Sequence, residues 1–298
     1  MSTGLQRSSA DKSSHLRVLA CQVSIPSTES REDRDAHVRR IAARIEECLS
    51  REPVDIVVLP ELSTIDYSRE AFAHLDVLAE ECDGTTANVF AAIARKYGVQ
   101  TIFGMPRREG KSFYISQVLL GVDGACLAVY DKIHIAQFGA SMEKEYFQRG
   151  RHTLTFELNG FRLSPIICYD IRFPELFRLV CDNERTDIIL HCGAYARDES
   201  YYSWHQFAIT RAMENMIWLV SLNRAGSFYG RSIICPPWID DRHPEIIFHD
   251  EEVFRIITLS RAELESARDN YPFLRDRLPD YCTLSNDLVH GRAKGTAD

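Results

Sequence analysis

The alternation of helical and strand patterns predicts a layered α/β fold in one domain, with two sheets packed face to face and helices outside. Three observations carry this. Val38, Ile41, Ala42, Ile45 and Leu49 recur at the spacing of one helical face. The run Ile56-Val57-Val58-Leu59 is apolar without alternation, the pattern of a strand buried on both faces. A similar succession of helix and strand returns in the second half, and between the halves stand two strand pairs joined at Asp123-Gly124 and Asn159-Gly160, both hairpin signals.

Residues 16–24 form an apolar run bounded by Pro26, a first strand. A helix is predicted over 34–50, and Pro53 and Asp55 then lead into the strand 56–59. The next helix covers 86–97 and stops at Gly98, giving way to a strand over 99–105. Strands 113–122 and 125–130 make the first hairpin, and 153–158 and 161–168 the second. Pro174 stands in the first turn of a helix over 174–183, where its missing N–H costs nothing. A strand over 187–191, a helix over 203–216 and a strand over 217–222 follow; strands 233–235 and 252–259 complete the set. No linker rich in Gly, Pro or Ser divides the chain. The expected organisation is one domain over 16–284, between a disordered N-terminal arm, 1–15, and a mobile polar tail, 285–298.

Charge and composition exclude several function classes. Among 298 residues, 35 are Lys or Arg and 43 are Asp or Glu, so the net charge is −8. This acidic balance, with no block of five basic residues, argues against nucleic acid as a partner. No apolar run reaches the ~18 residues of a membrane span. The Ser-rich start of the chain has no apolar signal region, so a cytoplasmic location is expected. The nine cysteines are irregularly spaced, with no CxxC, HxxxH or HExxH pattern, which predicts free thiols with neither a disulfide framework nor a metal site.

One of the nine thiols stands out. Cys168 ends the apolar run Pro165-Ile166-Ile167, and a short turn separates it from the helix starting at Pro174. Such strand ends are where α/β layers place their sites, and turn N–H groups can bind an oxyanion. Glu61 directly follows the buried strand at 56–60, and Lys132 ends another strand. Taken singly, a cysteine is more often packing and a glutamate or lysine more often a solvated charge. Together they are chemically complete. A thiol with an ordinary pKa of roughly 8.5 needs a base or a cation to become a nucleophile. Glu61 supplies a general base and Lys132 an ammonium that neutralises the oxyanion formed on attack at a carbonyl.

The three segments together resemble the nitrilase superfamily of carbon–nitrogen hydrolases. Leu59-Pro60-Glu61-Leu62 is similar to its glutamate motif, Tyr130-Asp131-Lys132-Ile133-His134 to its lysine motif, and Cys168-Tyr169-Asp170-Ile171-Arg172-Phe173-Pro174-Glu175-Leu176 to its cysteine motif. The segment 143–150 resembles the stretch with a second glutamate, and counting back from Gly150 selects Glu143 over Glu145. Arg211-Ala212-Met213-Glu214-Asn215, Asn223-Arg224-Ala225-Gly226 and the segment 275–281 also match, whereas Cys235-Pro236-Pro237-Trp238 departs from the usual Asp-Pro-x-Gly.

The resemblance implies a four-layer α-β-β-α sandwich that pairs into a homodimer or a higher homo-oligomer. It implies a cysteine-dependent amidase that converts a small non-peptide amide, through a thioester, to a carboxylate and ammonia with no cofactor. Glu61, Lys132 and Cys168 would form the triad, Glu143 would orient the lysine, and the Tyr169 N–H would join the oxyanion site. The Cys-Tyr-Asp-x-Arg form is similar to the small-amide branch, including ω-amidases and deaminated-glutathione amidases. Hydrolysis of N-carbamoyl amines is the alternative, and a catalytically idle dimeric binding protein a further one. A papain-like hydrolase would need a histidine base, and none of the ten histidines stands in a supporting motif. Tyr67, Phe138, Arg172, Tyr195, Ala196 and Trp204 lie near the motifs and are candidates for the substrate pocket.

Overall fold

The computed structural model describes residues 13–285 apart from 184, 279, 282 and 283. In chain order its elements are β1 (His15–Gln22), α1 (Arg31–Arg51), β2 (Ile56–Val58), α2 (Arg69–Ala73), α3 (Leu75–Leu78), α4 (Thr85–Tyr97), β3 (Gln100–Glu109), β4 (Ser112–Leu120) and β5 (Cys126–Asp131). They continue with β6 (Phe156–Leu158), β7 (Phe161–Ile167), α5 (Pro174–Arg178), β8 (Ile188–Cys192), α6 (Tyr201–Asn215), β9 (Trp218–Leu222), β10 (Ile233–Cys235), β11 (Ile246–Ile247), β12 (Val253–Ser260), α7 (Arg261–Asn270) and α8 (Phe273–Asp276).

The strands form two six-stranded sheets, ordered β12-β1-β2-β3-β4-β5 and β11-β10-β9-β8-β7-β6. Each has a parallel centre, β1-β2-β3 in one and β7-β8-β9 in the other, with antiparallel strands on both sides. The parallel strands are those that read as unbroken apolar runs, because both of their faces are covered. Between the sheets pack Val18, Ala20, Ile56, Val58, Leu163, Ile188, Leu190 and Val220. Alternate residues of the first sheet, among them Leu19, Val57 and Phe103, turn outward onto Val38, Ile41 and Ile45 of α1 and Phe90 of α4. Ile189 and Leu219 of the second sheet meet Trp204, Ala208 and Ala212 of α6. The result is the four-layer α-β-β-α sandwich, a single domain.

Local chemistry explains the boundaries. Ser30 caps α1 by accepting from Asp33 N while the Asp33 side chain accepts from Ser30 N, a reciprocal capping box. Gly98 ends α4 in the left-handed conformation at φ 64°. Two expectations are corrected. The strand predicted over 161–168 stops at Ile167, because Cys168 takes φ 43° and cannot continue a sheet. The helix predicted over 174–183 keeps α-geometry only to Arg178; the wider π-turn Leu179–Asn183 follows, and Thr186 Oγ1 donates to the Val180 carbonyl at 2.9 Å. The expected arm, 1–15, lies outside the described residues up to residue 12, and so does most of the tail, 285–298.

Candidate active site

Glu61, Lys132, Cys168 and Glu143 come from four separate stretches of chain and meet at one end of the sandwich. Glu61 opens the turn that follows β2. This turn can form because Gly104 of β3 runs directly beneath it; a Cβ there would sit well inside van der Waals contact with the Pro60 carbonyl. Ser63 Oγ donates to the Gly104 carbonyl at 2.9 Å, and Arg224 donates to the carbonyls of Leu62 and Ile65 at 2.9 and 2.8 Å. Arg224 is itself buried, so the second sheet braces the glutamate turn of the first.

Lys132 follows β5. Its N–H donates to Ile115 O at 2.8 Å, and its carbonyl accepts from Gly150 N at 2.7 Å. Gly150 is required by close approach, since a Cβ would overlap the Asp131 carbonyl. Glu143 sits in the 3-10 turn Glu143–Glu145, and the turn separates its two glutamates. Glu143 is fully buried, whereas Glu145 is outside, paired with Arg69.

The buried charges form one cluster. Lys132 Nζ lies 2.7 Å from Glu61 Oε1 and 2.6 Å from Glu143 Oε1, and all three side chains have no solvent exposure. Glu143 Oε1 also accepts the Tyr67 hydroxyl at 2.7 Å, and its Oε2 accepts Ala136 N at 2.8 Å. Two of the three ammonium N–H groups are thereby used. Among the described residues Glu61 Oε2 has no hydrogen-bond partner.

Burial pushes the Glu61 carboxyl up from the ordinary carboxylate range; Lys132 opposes this and Glu143 adds to it. Burial works against the Lys132 ammonium, but Glu143 and Glu61 outweigh it and hold the group well above its usual value. Burial also pushes the Cys168 thiol up, as do Glu61 and Glu143, while Lys132 and the Ala194 backbone favour the thiolate. Charge balance adds to the effect of burial at the thiol. Two carboxylates and one ammonium already leave the cluster at net −1, so a resting thiolate would be a second uncompensated charge in a dry site.

Cys168 heads the 3-10 turn Cys168–Arg172, in a left-handed conformation that stores strain. Asp170, fully buried, fixes this turn: it accepts the Tyr130 hydroxyl at 2.8 Å, His134 N at 2.8 Å, His134 Nδ1 at 2.7 Å and Ile167 N at 3.2 Å.

The nucleophile opens onto a cavity of about 70 Å³. Five of the six side chains expected around the pocket line it: Tyr67, Phe138, Arg172, Tyr195 and Ala196; Tyr169 joins them. Trp204 does not, which corrects the expectation. Its position on the inner face of α6 buries it completely, with its ring stacked on Tyr195 at 4.6 Å and Nε1 donating to Ser221 Oγ at 2.9 Å. Asp198, Ser141 and Tyr229 also line the cavity and carried no sequence signal, since each lies in an irregular loop. Arg172 donates to Ser203 Oγ and the Ser200 carbonyl, and its buried Nε has no partner among the described residues. A roomier groove of about 460 Å³ lies between Tyr202, His205, Arg231 and Asp250, and no nucleophilic thiol lines it. Among the described residues no helix is long and apolar enough to cross a membrane.

The sequence and the fold both resemble those of known proteins. The family model described as carbon-nitrogen hydrolase matches residues 17–241. A 2-oxoglutaramate amidase of Bacillus subtilis is 32% identical over 190 residues, covering 62% of this chain and 71% of that protein. An omega-amidase of Escherichia coli is 28% identical over 253 residues, covering 82% and 91%. The crystal structure of Saccharomyces cerevisiae Nit3, a member of branch 10 of the nitrilase superfamily, superposes with a TM-score of 0.77 at 22% identity, covering 93% of this chain and 100% of that one.

Proposed function

The chain belongs to the carbon–nitrogen hydrolase family, and we propose that within it the chain is a cysteine-dependent amidase acting on small non-peptide amides. The observation that carries this reading is the dry Glu61–Lys132–Glu143 cluster beside Cys168. The free Oε2 of Glu61 takes the Cys168 proton as the sulfur attacks the amide carbon, so no isolated thiolate forms first. The third N–H of Lys132 and the Tyr169 backbone N–H receive the oxyanion. Protonated Glu61 then hands its proton to the departing ammonia. The carboxylate so regenerated activates a water that hydrolyses the thioester, and Cys168 regains its proton. Glu143 orients Lys132 throughout and takes no proton from the substrate.

The cavity sets the substrate class. Its volume suits a short acyl chain rather than a peptide. The unpartnered Nε of Arg172 provides a cationic donor for a carboxylate at the far end of the substrate, consistent with relatives named 2-oxoglutaramate amidase and omega-amidase. Relatives with amidase names leave the carbamoylase reading without support. The proposal includes a homodimer acting in the cytoplasm; exposed Tyr202 and Phe228 give a partner copy apolar surface to cover, and sedimentation velocity tests the dimer. The test of function is ammonia release from a panel of monoamides, carboxylated ω-amides, N-carbamoyl amines and nitriles. Turnover of ω-amides is expected; exclusive turnover of carbamoyl amines, or none at all, overturns the reading.

A further inference from the structure

We propose that His191 and Tyr195 are positioning residues that aim the oxyanion-binding N–H of Tyr169, by clamping the carbonyl of Cys168 from the opposite side. The inference rests on the amidase reading above and deepens it.

The geometry begins with the peptide between Cys168 and Tyr169. A trans peptide is planar, and its C=O and N–H point in opposite directions. Fixing the Cys168 carbonyl therefore fixes the direction of the Tyr169 N–H. Two side chains hold that carbonyl: Tyr195 donates its hydroxyl at 2.8 Å, and His191 Nε2 lies at 3.0 Å. The strain at Cys168, φ 43°, needs such restraint if the turn is not to relax toward ordinary dihedrals.

Each clamp residue is in turn fixed. A carbonyl only accepts, so His191 Nε2 carries the proton and Nδ1 is an acceptor. Trp204 Nε1 can only donate, and it donates to Ser221 Oγ at 2.9 Å. The Ser221 hydroxyl hydrogen is thereby left to His191 Nδ1, 2.7 Å away. The relay Trp204, Ser221, His191, Cys168 is consistent in every donor and acceptor, and it selects one neutral tautomer. Burial, which pulls the imidazole down to about 4, keeps it in that form. Tyr195 is held by Asn223, whose Oδ1 accepts from Tyr195 N at 2.8 Å and whose Nδ2 donates to Tyr195 O at 3.0 Å. The Tyr195 ring lies flat on Trp204, with 6° between their planes. Trp204, which does not touch the cavity, thus backs both clamp residues.

The experiment compares two reactions of the same thiol in Tyr195→Phe, His191→Leu, His191→Gln and the wild type. Amide hydrolysis builds an oxyanion; alkylation of Cys168 by iodoacetamide does not. Losing a clamp donor is expected to lower kcat for amide hydrolysis roughly 10-fold or more; in the His191 variants, whose side chain does not line the cavity, KM is expected to stay within about twofold and the alkylation rate of Cys168 close to wild type. His191→Gln, which keeps a donor, is expected to recover most of the loss seen in His191→Leu. Unchanged kcat in both Tyr195→Phe and His191→Leu, or an equal fall in hydrolysis and alkylation, overturns the inference while leaving the amidase reading intact. A wild-type protein that alkylates at Cys168 but hydrolyses no amide overturns the amidase reading itself and this inference with it.

Discussion

The Asp170 carboxylate accepts the Tyr130 hydroxyl at 2.8 Å, and this bond ties the turn that presents Cys168 to the strand that presents Lys132. Asp170 also takes the N–H and Nδ1 of His134, two residues beyond Lys132. The nucleophile and its ammonium partner are thus set by one buried carboxylate that touches neither.

Removing that carboxylate strands its donors. Asp170→Ala leaves the Tyr130 hydroxyl and the Ile167 N–H buried without a partner, at a cost of about 3 kcal/mol or more. Urea denaturation should show the loss of stability, and the variant that still folds should lose turnover. A midpoint within error of wild type would refute the bracing role.

Lys132→Ala removes the cation between Glu61 and Glu143 and the donor to the oxyanion. We expect a fall in kcat of at least about 100-fold. Wild-type turnover in this variant would remove Lys132 from the mechanism.

Arg172 is expected to discriminate between substrates. Arg172→Met should raise KM for a carboxylated ω-amide about 10-fold or more while changing KM for a neutral amide of the same length much less. An equal change for both would assign Arg172 to packing, where it already lies against Phe138 and Phe207.

His37 gives a stability test by pH. Burial holds its imidazole near 4, with Nδ1 unpartnered among the described residues and Nε2 on the Ser63 carbonyl. Unfolded, the ring titrates near 6.5. Between these values the unfolded chain binds the extra proton, so stability falls as the pH drops from 6.5 and levels off below 4. The full contribution is about 3 kcal/mol. The denaturation midpoint of the wild type should fall more steeply from pH 7 to 4.5 than that of His37→Gln; parallel profiles would contradict it.

Features governed by local spacing were legible in the sequence. The face of α1, the unbroken apolar run of β2 and the turns at Asp123-Gly124 and Asn159-Gly160 all depend on neighbours within a few residues. The short helices α2 and α3 were not, because Phe72, Leu75 and Leu78 are buried by contact with Ile115, Tyr130 and Phe147 far along the chain. The site divides in the same way. Glu61, Lys132, Glu143 and Cys168 stand in recognisable motifs, and the structure places them together. His191 stands within a strand, Asp198 in a loop, and nothing near them in sequence discloses that one meets the Cys168 carbonyl and the other the cavity. Trp204 misled for the complementary reason: adjacency to the motifs along the chain did not reveal which face of α6 turns inward.

The central claim is covalent amide hydrolysis by Cys168 with Glu61 as base. Its most direct test is intact-protein mass spectrometry during turnover of a small ω-amide, run on the wild type, Glu61→Gln and Cys168→Ala. The account predicts ammonia release and an acyl adduct on Cys168 in the wild type, a steep loss of both in Glu61→Gln because the same carboxylate serves attack and deacylation, and neither adduct nor turnover in Cys168→Ala. Wild-type turnover by Cys168→Ala, or undiminished turnover by Glu61→Gln, would contradict it.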